Sequence, residues 1–231
     1  MTKIFCDIAD LNLIKKFNKK SIVRGFTTNP SLMRKAEAKN YIEYCKKILK
    51  IIKNKPVSFE VFGDNYKDII KQAIKIATLG KNVYVKVPVT NSKGVFLGKI
   101  INELNNKNIK LNITAVCTST QTLKILKKIN KKTKIIISIF VGRMADAGQD
   151  PMPEIKNSVK FARRYKNVEI LWASTREPYN YLQSKQINCH IITIPPSIIE
   201  KIEKFGKSFN KLTIDTVKTF LIDSKKSKFT I

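Results

Sequence analysis

The stretch NVYVKVPVT, residues 82–90, decides the architecture. Val83, Val85, Val87 and Val89 occupy every second position, the repeat of a β-strand rich in branched side chains. Lys86 stands in the middle with apolar neighbours on both sides. Burying an unpaired ammonium is expensive, so the fold must supply a place for it. The valines share one face of the strand; Tyr84, Lys86 and Pro88 share the other.

Seven further strand-like runs surround this one: KIFCDIA (3–9), SIVRGF (21–26), VSFEVF (57–62), IKLNIT (109–114), KIIISIF (134–140), VEILWA (168–173) and CHIIT (189–193). Segments of helical period separate them. In NYKDIIKQAIKIATLG the residues Ile69, Ile70, Ala73, Ile74 and Ala77 are expected to form one stripe, with Gly80 as the stop. DPMPEIKNSVKFARRY opens with prolines near a helix start. Alternating strands and helices imply a parallel sheet, and eight units of about 29 residues imply a closed (β/α)8 TIM barrel. The whole chain, 1–231, reads as a single barrel domain, with an additional C-terminal helix and basic tail over about 211–231. Barrel strands turn one face to the helices and the other inward, so outward valines put Lys86 inside.

Composition narrows the function. Apolar residues make up 43% of 231, a globular proportion, and the longest apolar runs are far short of the roughly 20 residues of a membrane span. The start MTKIFCDIAD lacks the features of a signal peptide, so a cytoplasmic location is expected. Cys6, Cys45, Cys117 and Cys189 are widely spaced, without a CxxC pair and with His190 as the one histidine. A metal site or disulfide framework is therefore not expected, and the cysteines read as small apolar residues. Lys and Arg number 45 against 17 Asp and Glu, a net charge of +28. Such an excess admits nucleic-acid binding. The excess is nearly all lysine, spread along the chain without an aromatic ladder or glycine-rich motif, which favours the codon bias of an AT-rich genome. No specific nucleic-acid or membrane partner is expected. The basic surface would still draw small anions over a Debye length of about 10 Å.

Barrel active sites lie at the C-terminal ends of the strands. The polar residues there are Asp7; Thr27, Thr28 and Asn29; Glu60; Lys86; Asn112 and Thr114; Ser138, with Arg143 beyond; Ser174 and Arg176; and Thr193. A desolvated Lys86 could act as a Schiff-base nucleophile, because burial favours the uncharged amine. It could equally be half of a buried ion pair with Glu60. Asp7 could be a helix-entry residue, although Asp10 is better placed as that cap. Thr27, Thr28 and Asn29 could form a turn before Pro30. Arg143 could sit in a loop salt bridge, and Arg176 could pair with Glu177. His190 and Trp172 read as packed residues.

GFTTNPSL (25–32), SFEV (58–61), VKVPVT (85–90), LNITAV (111–116), ISIFVGRMADAGQD (137–150) and ASTR (173–176) resemble the successive motifs of the transaldolase family, in its order. The length is similar to the small bacterial subfamily. The related fructose-6-phosphate aldolases have Gln where this chain has Glu60 and Tyr where it has Phe140, so both positions resemble transaldolase. The resemblance implies that Lys86 forms the Schiff base and that Asp7 is the acid/base at the substrate C4 hydroxyl. It implies that Glu60 and Thr114 hold a water that relays protons. Asn112, Ser138, Phe140, Thr28 and Asn29 would line the sugar site. Arg143, Arg176 and Ser174 would take the phosphate. It further implies sugar-phosphate substrates, the pentose phosphate pathway, no metal or organic cofactor, and a homo-oligomer such as a pentamer or decamer. Free aldol cleavage, releasing dihydroxyacetone, is the neighbouring activity. Ile139, Ala145 and Thr175 depart from common family residues, where Pro, Asp and a bulkier apolar residue stand, and the segment IPP (194–196) is unusual.

Overall fold

The computed structural model describes residues 1–227; residues 228–231, the end of the expected basic tail, lie outside the described residues. The strands are β1 (Lys3–Asp7), β2 (Val23–Thr27), β3 (Val57–Glu60), β4 (Val83–Pro88), β5 (Leu111–Val116), β6 (Ile135–Ile139), β7 (Val168–Trp172) and β8 (Ile191–Ile194). They pair in chain order, all parallel, and β8 returns to β1 through Lys3 beside Ile191, closing the barrel. The helices are α1 (Leu11–Asn18), α2 (Pro30–Lys35), α3 (Tyr41–Ile51), α4 (Tyr66–Ala77), α5 (Gly98–Asn106), α6 (Ser119–Leu126), α7 (Val141–Asp146), α8 (Met152–Ala162), α9 (Tyr179–Gln186), α10 (Pro196–Ile202) and α11 (Phe209–Ser227). The architecture is a (β/α)8 TIM barrel with an additional C-terminal helix. The short helices α2 and α7 are extra turns inserted at the C-terminal end of the barrel, ahead of α3 and α8.

Local chemistry starts the helices where the chain leaves a strand. Asp10 caps α1 by accepting the Leu13 N–H at 2.8 Å, and Asn65 caps α4 by accepting that of Asp68 at 3.0 Å. Thr118 and Gln121 make a reciprocal capping box on α6. Pro151 and Pro153 open α8 as expected. Two helix expectations need correction. On α4 the buried residues are Ile69, Ala73 and Ile76, whereas Ile74 is exposed. Ile70 and Ile74 each lie about 100° further round the helix than Ile69 and Ala73, which turns them to the flank. Gly80 does not stop α4, which ends at Ala77; its carbonyl instead accepts the Val83 N–H at 3.2 Å in the turn into β4.

Packing divides into two shells. Val83, Val85 and Val87 join Ile69, Ala73 and the other helix-facing residues in the larger core between strands and helices. Each buried valine stabilises by about 1.5–3 kcal/mol. The barrel interior holds a smaller apolar layer made of Phe5, Tyr84, Ile136, Leu171 and Ile191. Gly25 leaves room for the Phe5 ring: a Cβ there would lie 2.6 Å from it. Two residues further along four of these strands the interior turns polar, at Asp7, Lys86, Ser138 and Thr193, while on β7 the matching position is Ala173, which packs with the apolar layer. The register sets Glu60 beside Lys86, Lys86 beside Asn112, and Asp7 beside Thr27. Neighbouring strands lie about 4.8 Å apart, so these side chains share one height in the barrel. In β5 the pairing shifts by one residue between Ile113 and Val116, and Ala115 takes a left-handed φ of 58°. This bulge brings both Thr114 and Ala115 to the same cavity.

Candidate active site

A cavity of about 520 Å³ opens at the C-terminal end of the barrel. Its walls include Asp7, Asn29, Glu60, Lys86, Asn112, Thr114, Ser138, Phe140, Arg143, Ser174 and Arg176. The structure thus gathers eleven of the twelve expected residues. Thr28 is the exception. It is fully buried, and its hydroxyl donates to the Ser58 carbonyl at 2.8 Å, away from the cavity. Adjacent residues leave a strand on opposite sides, so an inward Thr27 sends the Thr28 side chain outward.

Lys86 is 7% exposed. Its Nζ donates to the Thr28 carbonyl at 3.0 Å and lies 3.2 Å from Glu60 Oε2. The ammonium in the valine strand is therefore paired, which removes most of the cost of burying it. Glu60 is itself fixed by Tyr41, whose hydroxyl donates to the Glu60 carbonyl at 2.9 Å and accepts its N–H at 2.8 Å.

Asp7 Oδ1 accepts the Thr27 hydroxyl at 2.6 Å, and Thr27 Oγ1 is 2.5 Å from Thr193 Oγ1. The Asp7 residue keeps some exposure, but to the cavity, and the carboxyl itself is enclosed. Burial pushes its pKa above the ordinary carboxylate value; attraction to Lys86 and the Thr27 hydrogen bond oppose that rise, and the Glu60 charge adds to it. Asn112 is held at both ends of its amide: Nδ2 donates to Ser58 Oγ at 3.0 Å and Oδ1 accepts the Ser138 hydroxyl at 2.7 Å. Thr114 Oγ1 is buried and has no hydrogen-bond partner among the described residues. Asn29 lines the cavity while its Oδ1 caps α2 through the Leu32 N–H at 2.9 Å.

At the far wall, Arg143 lies over the Phe140 ring, 5.3 Å from its centroid, and makes no salt bridge among the described residues. Ser174 adopts a left-handed φ of 65°. Arg176 pairs with Asp146, with Nε 3.1 Å from both carboxylate oxygens and Nη2 also bonded to Oδ2. Its partner is thus Asp146, not the adjacent Glu177.

Tyr41, Ser58 and Asp146 escaped the sequence reading, and Thr27 was placed at a strand end or a turn without a role. Ser58 and Thr27 sit in strand register with Tyr84 and Asp7, so alternation carried a signal for them. Tyr41 and Asp146 come from helices and had none. His190 is a packed residue whose Nδ1 accepts the Ile170 N–H at 3.1 Å, and burial lowers its pKa. Trp172 is core. All four cysteines are free; Cys6, Cys45 and Cys189 are buried and Cys117 is half-buried.

Comparison with known proteins shows the family. The family described as transaldolase/fructose-6-phosphate aldolase matches residues 4–231. A probable transaldolase of Methanococcus maripaludis (strain C5) is 35% identical over 223 residues, 96% of each chain. Another, of Nitrosopumilus maritimus, is 35% identical over 228 residues, 98% of this chain and 96% of the relative. A third, of a Sulfurihydrogenibium species, is 38% identical over 205 residues, 87% and 89% of the two chains. Among solved structures, a putative phosphonomutase from Burkholderia cenocepacia superposes with a TM-score of 0.60 at 8% identity, over 94% of each chain. The 3-hexulose-6-phosphate synthase from Salmonella typhimurium gives 0.57 at 12% identity, over 86% of this chain and 91% of the other. At those identities the likeness is one of fold. The match over nearly the full length, with relatives well above 30% identity, places the protein: the chain belongs to the transaldolase/fructose-6-phosphate aldolase family.

Proposed function

We propose that the protein is a class I transaldolase that moves a dihydroxyacetone unit from sedoheptulose 7-phosphate to glyceraldehyde 3-phosphate. The products are erythrose 4-phosphate and fructose 6-phosphate, which belong to the pentose phosphate pathway. The observation that carries the reading is the buried Lys86 Nζ, 3.2 Å from Glu60 Oε2 in the cavity that Asp7 also lines.

In this reading Lys86 gives up a proton toward Glu60, the freed amine attacks the ketose C2 carbonyl, and loss of water leaves an iminium. Asp7 takes the C4 hydroxyl proton as the C3–C4 bond breaks. The bonding electrons pass to the iminium, giving an enamine and a free aldose phosphate. A carboxyl whose proton affinity burial has raised suits that step. The incoming aldehyde reverses the sequence: C3 attacks it, Asp7 returns the proton to the new alkoxide, and water frees Lys86. Glu60 and the Thr114 hydroxyl hold the water that carries protons while the Schiff base forms and breaks. A buried hydroxyl without a protein partner supports that role. Asn112, fixed by Ser58 and Ser138, orients the dihydroxyacetone hydroxyls. Arg143, Ser174 and Arg176 take the phosphate, which positions the reacting carbons.

We also read the protein as a cytoplasmic homo-oligomer, a ring of five or a pair of rings. None of the residues of α11 is buried, and Phe209, Leu212, Val217 and Phe220 stand in water there. Among the described residues no helix is long and apolar enough to cross a membrane. The test of function is a coupled assay for erythrose 4-phosphate with native protein and Lys86→Met. Transfer by the native protein and its loss in the folded variant are expected. Normal turnover by Lys86→Met would overturn the mechanism.

A further inference from the structure

The two guanidiniums of the proposed phosphate end come from different strand–helix connections, and the structure contains a device that sets their spacing. Gly142 on α7 packs against the chain leaving β7. A Cβ at Gly142 would lie 1.7 Å from the Ser174 carbonyl oxygen and 3.1 Å from Arg176 Cγ. No side chain fits there without moving one connection away from the other. Four residues on, on the same face of α7, Asp146 grips the Nε edge of Arg176. Arg143 lies between them in sequence, on the same helix.

We propose that Gly142 and Asp146 form a clamp between α7 and the β7 exit, whose task is to hold Arg176 at the right distance from Arg143 for a phosphate monoester. A guanidinium offers two forked edges. Asp146 occupies the edge that contains Nε, which fixes the plane of the group and leaves Nη1 free for a second anion. Arg143 has no carboxylate partner among the described residues, and its guanidinium lies over the Phe140 ring. One carboxylate against two guanidiniums leaves a net positive pocket, and the clamp exchanges some attraction for fixed geometry. Gly142 and Asp146 are positioning residues, since both act through Arg176. This inference rests on the transaldolase reading for its substrate, but not for its phosphate chemistry.

The test uses Asp146→Asn and Gly142→Ala, with Glu177→Gln as a control, because Glu177 adjoins Arg176 without an ion pair to it. Three quantities are read: kcat/KM for fructose 6-phosphate as donor, inorganic phosphate binding by calorimetry, and borohydride trapping of unphosphorylated dihydroxyacetone. Both clamp variants should weaken phosphate binding and lower kcat/KM for fructose 6-phosphate by about tenfold, while trapping is unchanged. Glu177→Gln should match the native protein. Unaltered phosphate binding in Asp146→Asn would overturn the clamp. Tighter binding would overturn it too, since Asp146 would then be a competitor of phosphate. Trapping lost in step with phosphate binding would also overturn it, because the residues would then support the whole cavity. Asp146 is 54% exposed, so its variant folds even where Gly142→Ala does not. If the native protein transferred nothing, the transaldolase reading would fall, while calorimetry would still decide the clamp.

Discussion

Replacing Asp7 by Asn separates what this residue does for catalysis from what it costs the fold. Asparagine keeps the shape and an oxygen that accepts the Thr27 hydroxyl, and it removes the charge. The folded-state pKa of Asp7 is raised above the ordinary 3.8, chiefly by burial. Between the ordinary and the raised value, the native protein holds a proton that the unfolded chain has released. Stability therefore falls as pH rises through that window, and above it the ionised carboxylate is a net cost. Burial outweighs the opposing contacts with Lys86 and Thr27, so Asp7→Asn should be the more stable protein at pH 8, by about 1 kcal/mol as is typical of relaxing a functional site. In a chain of 231 residues that raises Tm by about 2–4 °C. The gain should vanish only below about pH 3, well under the ordinary value of 3.8, where native and unfolded Asp7 are both protonated. Transfer activity should fall by about 10²–10⁴-fold. Thermal unfolding from about pH 3 to about pH 8 reads the stability arm. A variant that melts below the native protein at pH 8 would refute the reasoning, because the Asp7 charge would then be a net stabiliser through Lys86.

Three further outcomes follow from the geometry. Tyr41→Phe removes both hydrogen bonds to the Glu60 backbone and should cost about 1–3 kcal/mol in denaturant unfolding; no loss would mean that other groups fix the end of β3. Glu60→Gln with Phe140→Tyr should shift products from transfer toward free dihydroxyacetone, measured as the ratio of the two activities. Phe220→Glu on α11 should reduce the assembly mass seen by light scattering, since it puts a charge on a helix with no buried residue of its own.

Alternation along single strands carried most of what was legible beforehand. Val83, Val85 and Val87 against Tyr84 and Lys86 is a local pattern, and one strand with an apolar outer face and a polar inner end implies the barrel and its cavity. The same rule applied to residues 27 and 28 assigns Thr27 inward and Thr28 outward, although the expectation for the site included Thr28. The short helices α2 and α7 span six residues each, too few to show a helical period. The pairing of Arg176 with Asp146 joins residues 30 apart through two connections, and the hold of Tyr41 on Glu60 joins a helix to a strand end. Such contacts depend on how the connections fold over the barrel, which local spacing does not encode. Ile74 faced outward because five apolar residues on α4 span more arc than the barrel covers.

The most direct test of the central claim is borohydride reduction in the presence of fructose 6-phosphate, followed by peptide mass spectrometry. The account predicts a dihydroxyacetone or hexose-phosphate adduct on Lys86 and on no other lysine. A folded protein that gives no adduct, or one that carries it elsewhere, would contradict the assignment and leave Lys86 as half of a structural ion pair with Glu60.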